Sequence, residues 1–183
     1  MDFEINKNNC IIQSKYKNKY IGYQYDANNV QCVLFTSGTF GSSKGVELTF
    51  GNMYNSVMNW AKIYSFNEKD IYLNVMPLHH ISGLSILFRS IYLNFYSIIN
   101  IYNTEDIFDM ITNNNVTCLS AVPKMIYDFL NIKGYEVALS KLKLLLIGGD
   151  LINQNHFNYF KKNKINAYVS YGSTETASGI AGY

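Results

Sequence analysis

The sequence predicts an α/β fold, a mostly parallel sheet flanked by helices. Short apolar runs of strand length alternate with amphipathic runs of helical length along most of the chain. Apolar residues make up 48% of the 183 residues and charged ones 15%, enough apolar side chain to offset the ordering entropy of one core. No linker, internal repeat or shift of composition divides the chain.

In order, residues 1–30 are polar and weakly patterned, an irregular or extended lead-in. Residues 31–36 (QCVLFT) read as a strand that breaks into 37–45 (SGTFGSSKG), and a helix follows over 50–64 with Thr49 as its N-cap. Strands are expected at 71–75, 97–101, 116–120, 143–147 and 167–171, and helices at 83–93, 105–112, 122–130 and 154–160. Such alternation implies parallel strands covered on both faces. The chain stops at Ala181-Gly182-Tyr183 with no element expected after the last loop, which reads as a truncation.

Charge and cysteine content exclude several classes. Fifteen basic against 13 acidic residues give +2, too weak a field for a nucleic-acid partner. Cys10, Cys32 and Cys118 have neither disulfide-framework nor zinc spacing, so a reducing compartment is expected. The most apolar stretch, 81–102, is interrupted by Arg89, Asn94 and Asn100 and does not read as a membrane span. The N-terminus lacks an apolar targeting core, which suits a protein that works where it is made, in cytoplasm or plastid stroma. Asn, Ile, Tyr and Lys share A/T-rich codons and dominate the composition, and Arg89 is the single arginine.

The strongest motif is TSGTFGSSKGV, residues 36–46, placed between a strand and a helix. Glycines let backbone N–H groups turn inward, hydroxyls add donors and Lys44 adds charge, a combination suited to polyphosphate. The Gly-Lys-Ser/Thr order of a Walker A loop is absent. A Gly/Ser tract by itself would read as a surface loop; its position favours a phosphate loop. His79 and His80 are adjacent, so in extended chain they point to opposite faces and do not share a metal. On a helix, Ser82, Ser85 and Arg89 share one stripe, with Leu84, Leu87, Phe88 and Ile91 opposite and facing the core. A lone arginine on a serine stripe suits a carboxylate held through two parallel hydrogen bonds, or else is a solvated side chain. Gly148-Gly149 after a buried run marks at least a tight turn, and Glu175 alone would be an ordinary exposed acid.

The phosphate-loop motif, MPLHHISGL at 76–84 and YGSTET at 171–176 together resemble, in order, the signatures of the adenylate-forming superfamily of acyl-CoA synthetases, adenylation domains and luciferases. Within it, LTFGNMYNS, PLHHISGLSILFRS and SAVPKMI resemble the o-succinylbenzoate–CoA ligases most closely. The resemblance covers about residues 30–180 and makes 31–183 part of the large N-terminal domain of such an enzyme, with the C-terminal lid domain and its adenylation lysine absent.

The resemblance implies ATP-dependent activation of a carboxylic acid as an acyl-adenylate, then thioester formation with coenzyme A, in menaquinone or phylloquinone synthesis. It implies ATP, Mg²⁺ and coenzyme A as cofactor and co-substrates, with an aromatic dicarboxylic acid as substrate. Thr36, Ser37, Gly38, Thr39, Gly41 and Lys44 would grip the β- and γ-phosphates, although Phe40 and Ser43 replace the family's Thr and Pro. Gly148, Gly149 and Asp150 would lie along adenine, Tyr171 would stack on it, and Gly172 belongs to the same motif. Thr174 would contact the adenylate phosphate and Glu175 would bind Mg²⁺. His80 goes to the acyl pocket, while Ser85 and Arg89 would hold the carboxylate that is not activated. The nucleophile is already ionised, so no general base is expected. Competing readings are another acyl-CoA synthetase of the superfamily, a non-catalytic remnant or partner of a split ligase with a complementary chain, and a phosphate-binding regulator.

Overall fold

The structure, a computed structural model, describes residues 2–6, 9–13, 26–37 and 42–183, the first two segments as backbone only. Its strands are β1 (Asp2–Asn6), β2 (Asn9–Gln13), β3 (Val30–Thr36), β4 (Lys44–Thr49), β5 (Ile71–Asn74), β6 (Tyr96–Ile99), β7 (Cys118–Ala121), β8 (Leu144–Ile147), β9 (Ala167–Ser173) and β10 (Ser178–Gly182). Its helices are α1 (Phe50–Ile63), α2 (Ile81–Leu93), α3 (Thr104–Asn113), α4 (Pro123–Leu130), α5 (Tyr135–Leu139) and α6 (Gln154–Lys162).

Eight strands form one sheet in the order β1-β2-β6-β5-β7-β8-β9-β10. The five central strands are parallel, and antiparallel strands extend both edges. Strands β7 and β8 are buried along their whole length, which is why CLSA and LLLI read as short apolar runs rather than alternating ones. Helix α2 packs on α1 and on β2, β5 and β6, and α3 packs on α4 and α5. Phe129, Leu139 and Phe160 of α4, α5 and α6 are buried in the main core.

Four features differ from the sequence reading. The lead-in contributes β1 and β2 to the sheet edge. The glycine-rich loop runs from strand to strand, because KGVELT forms β4 and pairs antiparallel with β3 in a separate two-stranded sheet. Val46 and Leu48 point inward, Gly45 and Glu47 outward, so β4 carries a strand's alternation ahead of the helix. Helix α1 then starts as expected, its Thr49 N-cap closed by a reciprocal capping box with Asn52. After β9 the chain turns back as β10, so an element does follow the last expected loop.

Helix α2 departs most in orientation. Two residues of the stripe expected to face away from the core are buried: Arg89 is 2% exposed and Ser85 is buried, with Ser90 and Ile86 beside them, while Ser82 at the start of the helix is exposed. Leu84 and Phe88 instead pack, half-buried, on a smaller cluster of Leu34, Leu48, Met53 and Ala177. Two layers compete for the helix, the sheet on one side and the β3–β4 hairpin on the other, and an amphipathic count over α2 alone cannot tell which side each stripe meets.

Candidate functional site

In the sheet, β6 lies on one side of β5 and β7 on the other. The connections leaving β5 and β6 therefore run in opposite directions, which opens a crevice at the carboxyl ends of the strands. A cavity of about 160 Å³ occupies that place. Met76 after β5, Ser120 to Val122 at the end of β7, Gly148 and Gly149 after β8, and Ser170, Gly172 and Ser173 on β9 line it. Arg89 and Ser82 of α2, Trp60 of α1 and Ser178 and Gly179 of β10 complete the wall.

Among the described residues Arg89 is the only charged one of that lining. Its Nη2 donates to Ser85 Oγ at 2.8 Å and to Ser178 Oγ at 3.1 Å. Its Nε and Nη1 are buried without a hydrogen-bond partner among the described residues. The guanidinium carbon sits 4.8 Å from the centre of the Trp60 ring. Burial lowers its pKa from the ordinary value, and the neighbouring Tyr72 hydroxyl partly opposes that. Tyr72 itself shares a 2.8 Å hydrogen bond with Ser120. A buried cation ringed by neutral groups is a costly arrangement, and an anionic ligand would relieve it.

The hairpin of β9 and β10 carries YGSTET. Thr176 Oγ1 donates to the carbonyls of Ser173 and Ser178 and accepts from the Ser173 N–H, which fixes the turn. Ala177 at φ 56° and Ser178 at φ 135° hold conformations that side chains rarely adopt, right beside Arg89. Ser56 of α1 donates to the Ala177 carbonyl at 2.9 Å and ties the hairpin to the helix layer. Glu175 is exposed, and its own backbone amide and the Ser173 hydroxyl hold its carboxyl below the ordinary value, with Lys44 adding to the effect. Lys44 thus comes within electrostatic range of Glu175 although 131 positions separate them.

Of the residues singled out in the sequence, Arg89, Gly148, Gly149 and Gly172 line the cavity and Ser85 stands behind Arg89. Lys44, Ser37, Asp150, Tyr171 and Glu175 are exposed outside it, and Thr36 and Thr174 are half-buried. The Asp150 carboxylate accepts from the Leu151 N–H at 2.7 Å. Gly38, Thr39 and Gly41 lie outside the described residues. His80 is exposed and is not part of the cavity wall; it caps α2, and its ring lies 4.3 Å from that of His79. The turn from Pro77 to His80 brings the two rings together, where extended chain would have separated them. Among the described residues no group of three or more His, Cys, Asp or Glu is arranged to hold a metal. The exposed Glu175 carboxylate beside the Ser173 hydroxyl offers oxygen ligands of the kind Mg²⁺ prefers.

Trp60, Tyr72, Ser120 and Ser178 were not legible as site residues. Trp60 falls at helical spacing from Met53 and Val57, so the sequence shows it only as core. Ser178 lies two residues past YGSTET, and its contact with Arg89 spans 89 positions.

The chain is similar in sequence and fold to known proteins. Residues 5–182 match the family described as AMP-binding enzyme. A 2-succinylbenzoate–CoA ligase of Bacillus pumilus is 34% identical over 163 residues, covering 88% of this chain and 33% of its own length. The o-succinylbenzoate CoA synthetase of Bacillus subtilis, in complex with the acyl-adenylate intermediate OSB-AMP, superposes with a TM-score of 0.77 at 31% identity, covering 87% of this chain and 33% of that one. The same enzyme in complex with ATP and magnesium ion gives the same TM-score, identity and coverage. The chain spans about one third of the length of these relatives.

Proposed function

Since the chain belongs to the AMP-binding enzyme family, we propose that it forms the acid-binding and adenylate-facing part of an acid–thiol ligase. The reaction is ATP-dependent activation of o-succinylbenzoate as its acyl-adenylate, followed by transfer to coenzyme A. The observation that carries this reading is Arg89, buried in the cavity wall with two donor atoms unpartnered and only neutral groups around it among the described residues. O-succinylbenzoate has two carboxylates: one is activated, and Arg89 holds the other through a donor that the two serines leave free, Nε or Nη1.

Adenylation brings a carboxylate up to an α-phosphate, two anions that repel. Lys44 offsets the negative charge of the phosphates, and Thr174 donates to the adenylate phosphate. Glu175 would hold Mg²⁺, which when bound draws charge from the phosphate oxygens. Gly148 and Gly149 leave the adenine edge of the cavity free of side chains. Ser85 and Ser178 orient the Arg89 guanidinium and so position the acid. The attacking carboxylate is already ionised, so no proton need be removed.

The test is equilibrium binding of o-succinylbenzoate to the purified protein, by calorimetry, with pyrophosphate release as a second readout. Arg89→Met is expected to weaken that binding at least about tenfold while sparing ATP affinity. Lys44→Ala and Glu175→Gln are expected to do the reverse. Equal affinity of wild type and Arg89→Met for the acid would overturn the reading.

A further inference from the structure

Arg89 raises a physical question that its hydrogen bonds leave open: what keeps a wholly buried guanidinium in place with its charge intact. A protein carboxylate would hold it firmly and also neutralise it. Among the described residues neither of its hydrogen-bond partners is charged. Tyr72 and Cys118 nearby are neutral, and the face of Trp60 stands 4.8 Å from the guanidinium carbon. An aromatic face attracts a cation through its quadrupole without cancelling the charge toward a third group.

The Trp60 ring is itself fixed. It is 2% exposed, packs edge-on against Tyr168 at 5.7 Å and stacks with Tyr64 at 6.4 Å. On its other side the chain passes at Gly179, where an added Cβ would lie 3.0 Å from Trp60 Cζ2 and 2.1 Å from Ser170 Oγ. The absence of a side chain at 179 lets β10 close over the indole. The ring forms part of the cavity wall beside Arg89.

We propose that Trp60 is a specificity-determining residue: its ring positions the Arg89 guanidinium and leaves the charge available, so that the site selects an acid carrying a second carboxylate. This rests on the reading of Arg89 as the grip for that carboxylate. Two consequences follow. A phenyl ring at position 60 preserves the selection, and an aliphatic side chain loses it. Trp60 is also the sole tryptophan of the chain, so its emission reports a carboxylate arriving at the guanidinium stacked on it.

The experiment compares Kd for o-succinylbenzoate with Kd for the half-ester in which the non-activated carboxylate is masked. Wild type and Trp60→Phe are expected to prefer the dicarboxylate to the same extent, within about twofold, and Trp60→Leu to lose roughly tenfold of that preference. In an Arg89→Met background, Trp60→Leu is expected to cause no further loss, which a general packing defect would not reproduce. A folded Trp60→Leu that keeps the full preference overturns the proposal. If Trp60→Leu does not fold, wild-type emission decides: a response to the diacid and none to the half-ester upholds the proposal, and equal responses overturn it. An Arg89→Met protein with unchanged preference would instead overturn the underlying reading of Arg89, so the two failures are separable.

Discussion

Asn74 illustrates what a single polar side chain does beneath the site. It is fully buried at the end of β5, donates through Nδ2 to the Gly83 carbonyl at 3.0 Å and accepts the Met76 N–H at 3.2 Å. The second bond gives a partner to a backbone N–H in the bend after β5, and the first ties that bend to α2. Gly83 belongs to the same joint, since an added Cβ would stand 2.5 Å from the carbonyl oxygens of Met76 and Pro77. Replacing Asn74 with Ala leaves the Met76 N–H without this acceptor and removes the bond to the Gly83 carbonyl, and is expected to cost about 2 kcal/mol. Urea denaturation of Asn74→Ala against wild type measures it, and an unchanged midpoint would count against this account. Arg89 was legible at this scale as the only arginine on a serine stripe, whereas Asn74 was one asparagine among many.

Among elements, the parallel strands β5, β7 and β8 are tied at their amino ends by Asp70. Its carboxylate receives Lys143 Nζ at 2.7 Å, Thr117 Oγ1 at 3.0 Å and the Asn67 N–H at 2.9 Å. Lys143 precedes β8 and Thr117 precedes β7, so one acid sets the relative start of three strands. The same lysine also donates to the Ser65 carbonyl at 2.6 Å. Register at this end fixes where Met76, Ala121 and Gly148 emerge at the other, hence the shape of the cavity. Asp70→Ala leaves the Lys143 ammonium half-exposed without its carboxylate and is expected to destabilise by about 3 kcal/mol, read from the urea midpoint. A loss below about 0.5 kcal/mol would mean that the pair behaves as an ordinary surface ion pair. The strands themselves were readable as apolar runs. The Asp70 network was not, because Thr117 and Lys143 lie 47 and 73 positions away from it.

For the whole molecule, the core contains two groups that must stay protonated. Burial pushes the Tyr72 hydroxyl from 10.0 to about 12, with Arg89 opposing, and the Cys118 thiol from 9.0 to about 12, with Thr117 opposing. In both cases the folded state favours the neutral form. The stability they contribute is therefore complete below about pH 9 and is lost as pH rises from there toward 12. The urea midpoint is expected to stay level from about pH 7 to 8.5 and to fall by pH 10.5, with Cys118→Ala falling less steeply. A midpoint independent of pH up to 10.5 would contradict this placement of the two groups. None of the helices among the described residues is long and apolar enough to cross a membrane.

The sequence by itself determined the alternation of strand and helix, the Thr49 cap and the family motifs, because each rests on neighbours a few positions apart. It also singled out Arg89. Tertiary structure alone decided that KGVELT becomes a strand, since its pairing partner β3 lies across the glycine-rich loop, and that Ser85 and Arg89 of α2 turn inward. It alone brought Lys44 into range of Glu175, and Trp60 and Ser178 onto Arg89. Those contacts join α1, α2 and the β9–β10 hairpin, and no local pattern encodes which faces of three separate elements will meet at the strand ends where the sheet order reverses.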